Sequence, residues 1–82
     1  MILQYDEATL NSMARIEALM KEELDTIQLR QQESAAVTEP GLRSVLVTIT
    51  ETHIQMYAEL ELYLRELRSL NEITLQINEM FL

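Results

Sequence analysis

The 82-residue sequence contains no cysteine and no tryptophan, only one glycine and one proline, and 5% aromatic residues. The absence of cysteine excludes disulfides, thiolate metal sites and thiol nucleophiles. A sheet protein of this size needs turn residues and β-branched or aromatic cross-strand pairs, and this sequence is poor in both. A chain of this length forms one domain at most. Its richness in Leu, Met, Glu and Gln is typical of long helices.

Positive charge is also scarce, because six basic residues face fourteen acidic ones and give a net charge of −8. This balance argues against binding nucleic acid or an anionic membrane surface, since both need a basic face. The 48% of hydrophobic residues excludes a disordered acidic tail. No apolar run reaches the ~18 residues of a membrane span, and the N-terminus lacks a basic signal-peptide region. We expect a cytoplasmic protein. Export by a route that needs no cleaved signal peptide stays possible.

The first helix is predicted over about 6–36, with Asp6 as its N-cap. Its apolar residues recur at steps of three and four, which defines one helical face. That face consists of Leu10, Met13, Ile16, Met20, Leu24 and Ile27. The only Pro and the only Gly lie side by side at Pro40 and Gly41, so a turn is predicted over about 37–41. Thr38 is the predicted cap of the second helix.

The second helix is predicted over about 39–81, where two heptad rows form an a/d stripe. The a row is Leu46, His53, Leu60, Leu67, Thr74 and Phe81, and the d row is Leu42, Ile49, Met56, Tyr63, Leu70 and Ile77. The f positions carry no large apolar side chain. A stripe that is wider at both ends than a strict a/d seam indicates contact with more than one helix.

These patterns predict an all-α fold, a single-domain antiparallel two-helix hairpin over 1–82. Two helices share only one seam, and a core of this size rarely supplies more than ~3–5 kcal/mol without disulfides. We therefore expect a partner chain to complete a four-helix bundle. The predicted partner-binding residues are Leu46, Ile49, His53, Met56, Leu60, Tyr63, Leu67, Leu70, Ile77 and Phe81 on helix 2, and Leu10, Met13 and Met20 on helix 1. Leu60, Tyr63, Leu67 and Leu70 are the predicted central anchors.

Catalytic, cofactor and metal sites are not predicted. His53 is the only histidine and must serve any base, so no hydroxyl nucleophile has a complete set of partners. A bundle metal site uses Glu-x-x-His, whereas Glu51 is two residues from His53 and points elsewhere on a helix. Carboxylates of helix 1, namely Glu17, Glu22 and Glu23, could join His53 at a metal, but one histidine with unplaced carboxylates is a weak site. The favoured interpretation is a polar a position that fixes register or faces a partner's carboxylate.

The layout resembles the WXG-type (Esx-like) helical hairpins of type VII secretion and their small partner proteins. Ile2 and Leu10 stand where that family has an apolar opening, and Glu39-Pro40-Gly41 stands at its Trp-x-Gly turn, with Glu39 in place of Trp. The export pattern Tyr-x-x-x-Asp/Glu is matched in letters by Tyr57-Ala58-Glu59-Leu60-Glu61, in the middle of the predicted helix. The resemblance implies an accessory partner rather than a self-sufficient exported substrate.

The sequence also looks like the small co-chaperones that hold type III secretion needle subunits, which are short helical hairpins too. The predicted function is therefore a non-enzymatic partner or targeting chaperone of a secretion system, which sequesters a helical partner on an apolar helix face. A needle-subunit co-chaperone and a homodimeric four-helix-bundle adaptor are the alternatives. The partner is accordingly a helical secretion substrate in a heterodimer or a second copy in a homodimer.

Overall fold

A computed structural model describes residues 7–80, apart from the side chains at positions 71, 74, 75 and 78. It places them in two helices, α1 (Glu7–Ala36) and α2 (Pro40–Met80), joined by residues 37–39. The helices pack along each other in opposite directions, and residues 7–80 contain no strand. The predicted all-α hairpin is confirmed. The predicted Asp6 cap, Phe81 and the Thr74 side chain lie outside the described part.

The hairpin is a rod of 65 × 17 × 14 Å. Its radius of gyration is 18.8 Å, against about 12 Å for a compact domain of this length. Its accessible surface is 6312 Å², about 1,200 Å² more than a compact monomer of this mass would expose. A two-helix rod has a single seam, so much of its apolar surface stays in contact with water.

The seam repeats at alternating steps of three and four on both helices, as in a coiled coil. The facing rows hold Met13, Ile16, Met20, Glu23 and Ile27 on α1, and Leu46, Thr50, His53, Tyr57, Leu60, Leu64 and Leu67 on α2. Its core is a cluster of Met13, Ile16 and Leu64. Met20, Leu60 and Leu67 pack against this cluster. This cluster lies toward the end of the hairpin away from the turn, and Ile27 and Leu46 are buried nearer the turn.

The contact with α1 uses only one of the two rows of the predicted a/d stripe. The Leu46 row does face α1, but the row beside it is Thr50, Tyr57 and Leu64 and not the Ile49 row. Thr50 is tolerated in the seam because its hydroxyl donates to the Leu46 carbonyl at 2.8 Å. Three adjacent rows of α2 carry apolar side chains, and one neighbouring helix covers two. The hydrophobic pattern identifies all three rows. It does not show whether α1 packs against the Ile49 row or against the row of Thr50, Tyr57 and Leu64.

The connection is closed by side-chain contacts at both helix ends. Glu39, not the predicted Thr38, caps α2, because its carboxylate accepts the backbone N–H of Gly41 at 2.9 Å and of Leu42 at 2.5 Å. Arg43 donates from Nε and one terminal nitrogen to the Val37 carbonyl, just after α1. A glutamate is long enough to reach forward past Pro40, whose own nitrogen has no hydrogen to donate.

Glu39→Gln is expected to lower the thermal stability at neutral pH, because the variant lacks the charge that favours the two backbone donors. The N–H groups of Leu42 and then Gly41 lower the pKa of Glu39 from its ordinary value of 4.5. The carboxylate's contribution is therefore present above that value and is lost as the pH falls through the lower folded-state pKa. Circular dichroism melts should show a difference from wild type that shrinks in acid. Glu72→Gln, an exposed substitution on the same helix, is the control, and a pH-independent difference would contradict the cap.

Candidate protein-binding surface on helix α2

A row of apolar side chains runs along α2 outside the hairpin seam. We call this row the outer stripe. Its members, spaced seven residues apart, are Leu42, Ile49, Met56, Tyr63, Leu70 and Ile77. All six are exposed, from 37% for Ile49 to 64% for Leu70. The row coincides with the predicted d row, so periodicity alone found these residues, although the contact with α1 does not bury them.

The outer stripe is larger than ordinary scatter of apolar residues on a surface. Among the described residues, only five hydrophobic side chains are buried, whereas fifteen large ones are exposed. Single exposed leucines are normal, but a contiguous apolar row marks an interaction surface. Leu62 provides the contrast, since it is 53% exposed and lies in a row whose other members, Thr48, Gln55, Ser69 and Gln76, are polar. The outer stripe is therefore the surface that another molecule would cover.

Two contacts between the helices fix which side of the hairpin carries the outer stripe. His53 contacts Glu23 along one edge of the seam, and Arg68 contacts Glu17 at 2.8 Å along the other edge. The heptad order places the outer stripe beside the His53 row. On α1, the neighbouring row on that side includes Leu19, which is half-buried. Leu19 is the only apolar member of that row among the described residues, since the others are Ser12, Thr26 and Glu33, so the apolar surface on this side belongs mainly to α2.

The opposite side of the hairpin is more polar. Besides the Arg68–Glu17 pair, Arg65 contacts Glu61 at 2.9 Å on α2. A groove of about 460 Å³ lies on this side near the turn. Its lining includes Gln31, Ser34, Arg43, Val47, Thr50 and Glu51. Exposed apolar side chains also lie on this side, at Leu10, Leu24, Val47 and Ile54, but charged residues interrupt them. The uncharged outer stripe is therefore the stronger candidate for an apolar partner.

His53 and Glu23 form a polar layer within the seam. Nδ1 of His53 lies 2.5 Å from Oε2 of Glu23, and both side chains are partly buried. Because a carboxylate only accepts, the imidazole donates from Nδ1. Such a pair favours the one register that brings its two members together. No group of three or more His, Asp or Glu side chains within the described part of the chain could hold a metal ion.

The predicted partner-binding residues divide into two groups. Those that line the hairpin seam are Leu46, His53, Leu60, Leu67, Met13 and Met20, and those that are exposed are Ile49, Met56, Tyr63, Leu70, Ile77 and Leu10. Of the four central anchors, Leu60 and Leu67 therefore pack within the chain, and Tyr63 and Leu70 face water. Leu64 was missed, although it is only 5% exposed. The continuous three–four spacing from Leu46 to Leu67 could have found it.

No protein-family model matches this sequence, and no curated protein or solved structure is significantly similar to it. In the described part of the chain, neither helix has a stretch apolar enough to cross a membrane.

Proposed function

We propose that this protein is a non-enzymatic helical-hairpin binding protein, and that a helical partner binds along its outer stripe. The observation that carries the proposal is the uncharged row of exposed side chains from Leu42 to Ile77. A partner helix could place its own apolar residues along this row, as helices do in a bundle. The proposal explains why apolar side chains occupy three heptad rows of α2, although α1 covers only two of them.

The surface balance supports an interface of ordinary size. The hairpin exposes about 1,200 Å² more than a compact monomer of its mass, and stable interfaces bury about 600–1,000 Å² on each partner. Each Å² of apolar surface removed from water contributes roughly 25 cal/mol before the costs of association are subtracted. Tyr63 lies near the middle of the stripe and offers the kind of aromatic anchor that interfaces favour.

The cellular role that we propose is that of a partner or targeting chaperone in a secretion system of the type VII kind. The support is the layout, a 30-residue helix and a 41-residue helix joined at Glu39-Pro40-Gly41. In that role the hairpin would meet its partner in the cytoplasm and keep the partner's apolar helix face from aggregating. A type III needle co-chaperone would use the same surface, and a homodimeric adaptor would cover it with a second copy.

The experiment is a titration of the full chain with a neutral probe helix, a synthetic peptide with Leu at a and d and Gln at e and g. We expect NMR shift changes centred on Ile49, Met56 and Tyr63, and none beyond noise at Leu62. Changes centred on Val47 and Ile54 instead would overturn the assignment of the surface. Sedimentation of the chain alone measures its oligomeric state. A stable dimer would support the homodimeric adaptor, in which a second copy covers the stripe and excludes the probe.

A further inference from the structure

Acidic side chains border the outer stripe beside its aromatic anchor. Glu59 lies four residues before Tyr63 and Glu66 lies three residues after it, so both occupy the next heptad row outward on α2. Both carboxylates are exposed. The other described members of that row, Val45, Thr52, Ile73 and Met80, are uncharged. Along the middle of the stripe the outer border is therefore negative, and toward both ends it is apolar.

The carboxylates beside the outer stripe differ in their ion pairing from two on the polar side of the hairpin. On the polar side, Glu61 is paired with Arg65, and Glu17 is paired with Arg68. Glu59 and Glu66 have no Lys, Arg or His of the described residues within ion-pairing distance. Arg65 and Arg68 of α2 are therefore engaged on the polar side and not at this border.

The α1 side of the same face adds no net positive charge. Glu33 lies in the row that borders the stripe across the seam, and it is already paired with Arg30. The next row outward carries Arg15 and Glu22, whose charges offset each other. A helix laid along the stripe would therefore have carboxylates along its α2 side and a balanced set of charges along its α1 side.

A second copy of the chain is a less complementary occupant for this surface, because its own border row carries no Lys or Arg to meet Glu59 and Glu66. Two antiparallel copies of α2 that placed Met56 opposite Tyr63 would bring the same border rows together. Glu59 of one copy would then approach Glu59 of the other, and Glu66 of each would face Thr52 of the other. Like charges that face each other across helices are unfavourable, and each copy already carries a net charge of −8.

We propose that the outer stripe binds a basic amphipathic helix, one whose apolar face is bordered by Lys or Arg. This inference rests on the proposed function, because it names the chemistry of the partner at the same surface. The apolar row supplies the area that is buried on binding. Glu59 and Glu66 favour a partner helix with positive charges beside its apolar face. Opposite charges at such positions set partner choice in paired helices.

The test compares three probe helices with the same Leu face and with Lys, Gln or Glu at e and g, each titrated into the full chain. At low salt the Lys probe should bind about tenfold tighter than the Glu probe, because a few exposed charge pairs supply a difference in binding free energy of that size. High salt should reduce the difference. In the double variant Glu59→Gln/Glu66→Gln the preference should fall most of the way to parity, with the melting temperature unchanged.

The matched control is Glu51→Gln/Glu72→Gln, which removes the same charge from the far side of α2. It should keep the preference for the Lys probe. Equal loss in both double variants would mean that net charge alone attracts the peptide, which overturns the inference. Binding of all three probes with equal affinity would also overturn it, while the proposed function would stand. Failure of every probe to bind a chain that sediments as a monomer would reject the proposed function itself.

Discussion

Leu64→Ala is expected to destabilise the hairpin by about 3 kcal/mol, within the range for removing a buried leucine. Leu64 is only 5% exposed and packs with Met13 and Ile16 in the centre of the hydrophobic core. A two-helix chain has few other buried contacts to compensate, since its whole core supplies on the order of 3–5 kcal/mol. The variant should therefore be only marginally stable, with a measurable unfolded fraction at room temperature.

The matched control is Leu62→Ala, on the same helix and with the same atoms removed. Leu62 is half-exposed in a polar row, so its loss should change the unfolding free energy by no more than about 0.5 kcal/mol. Urea denaturation followed by circular dichroism measures both variants. Comparable destabilisation of the two would mean that α1 does not pack against the Leu64 row.

The helical hairpin could be predicted from sequence because two independent signals agree. Apolar steps of three and four run through both segments, and the only Pro and Gly interrupt them at Pro40 and Gly41. Each signal depends on residues close together in the chain. Local patterns of this kind determine helix positions well and say less about which helical faces meet.

The assignment of faces failed where contact between the helices decides it. The Ile49 row is more hydrophobic than the row that holds Thr50 and Tyr57, so the pattern favoured it as the seam. In the structure α1 covers the less hydrophobic row. The Glu23–His53 contact and the Glu17–Arg68 contact belong to that arrangement, and neither can be read from one helix alone.

Periodicity alone predicted the residues of the candidate surface, but not their separation from the hairpin seam. Periodicity identified Ile49, Met56 and Tyr63 as a continuous apolar row, and they are one. It could not separate residues that hold the hairpin together from residues left for another chain. That distinction also governs mutational tests, because Leu67 packs against the core cluster. A charge at Leu67 would disturb the fold together with any association.

Met56→Glu avoids this difficulty and should weaken binding of the neutral probe helix about a hundredfold while leaving the hairpin folded. Met56 is exposed, so a glutamate there stays hydrated in the free protein. In the complex, the same carboxylate would be buried against leucines without a partner, and this cost falls on the bound state alone.

Leu62→Glu is the control for this variant, since it adds the same charge at a comparably exposed leucine of the polar row. It should bind the probe like wild type. Titrations read by fluorescence anisotropy, with circular dichroism melts of all three proteins, separate loss of binding from loss of fold. Unimpaired binding by Met56→Glu would remove the outer stripe as the binding surface. Equal losses in both variants would point to added negative charge rather than to the apolar row, and the placement of the partner along Met56 and Tyr63 would then be wrong.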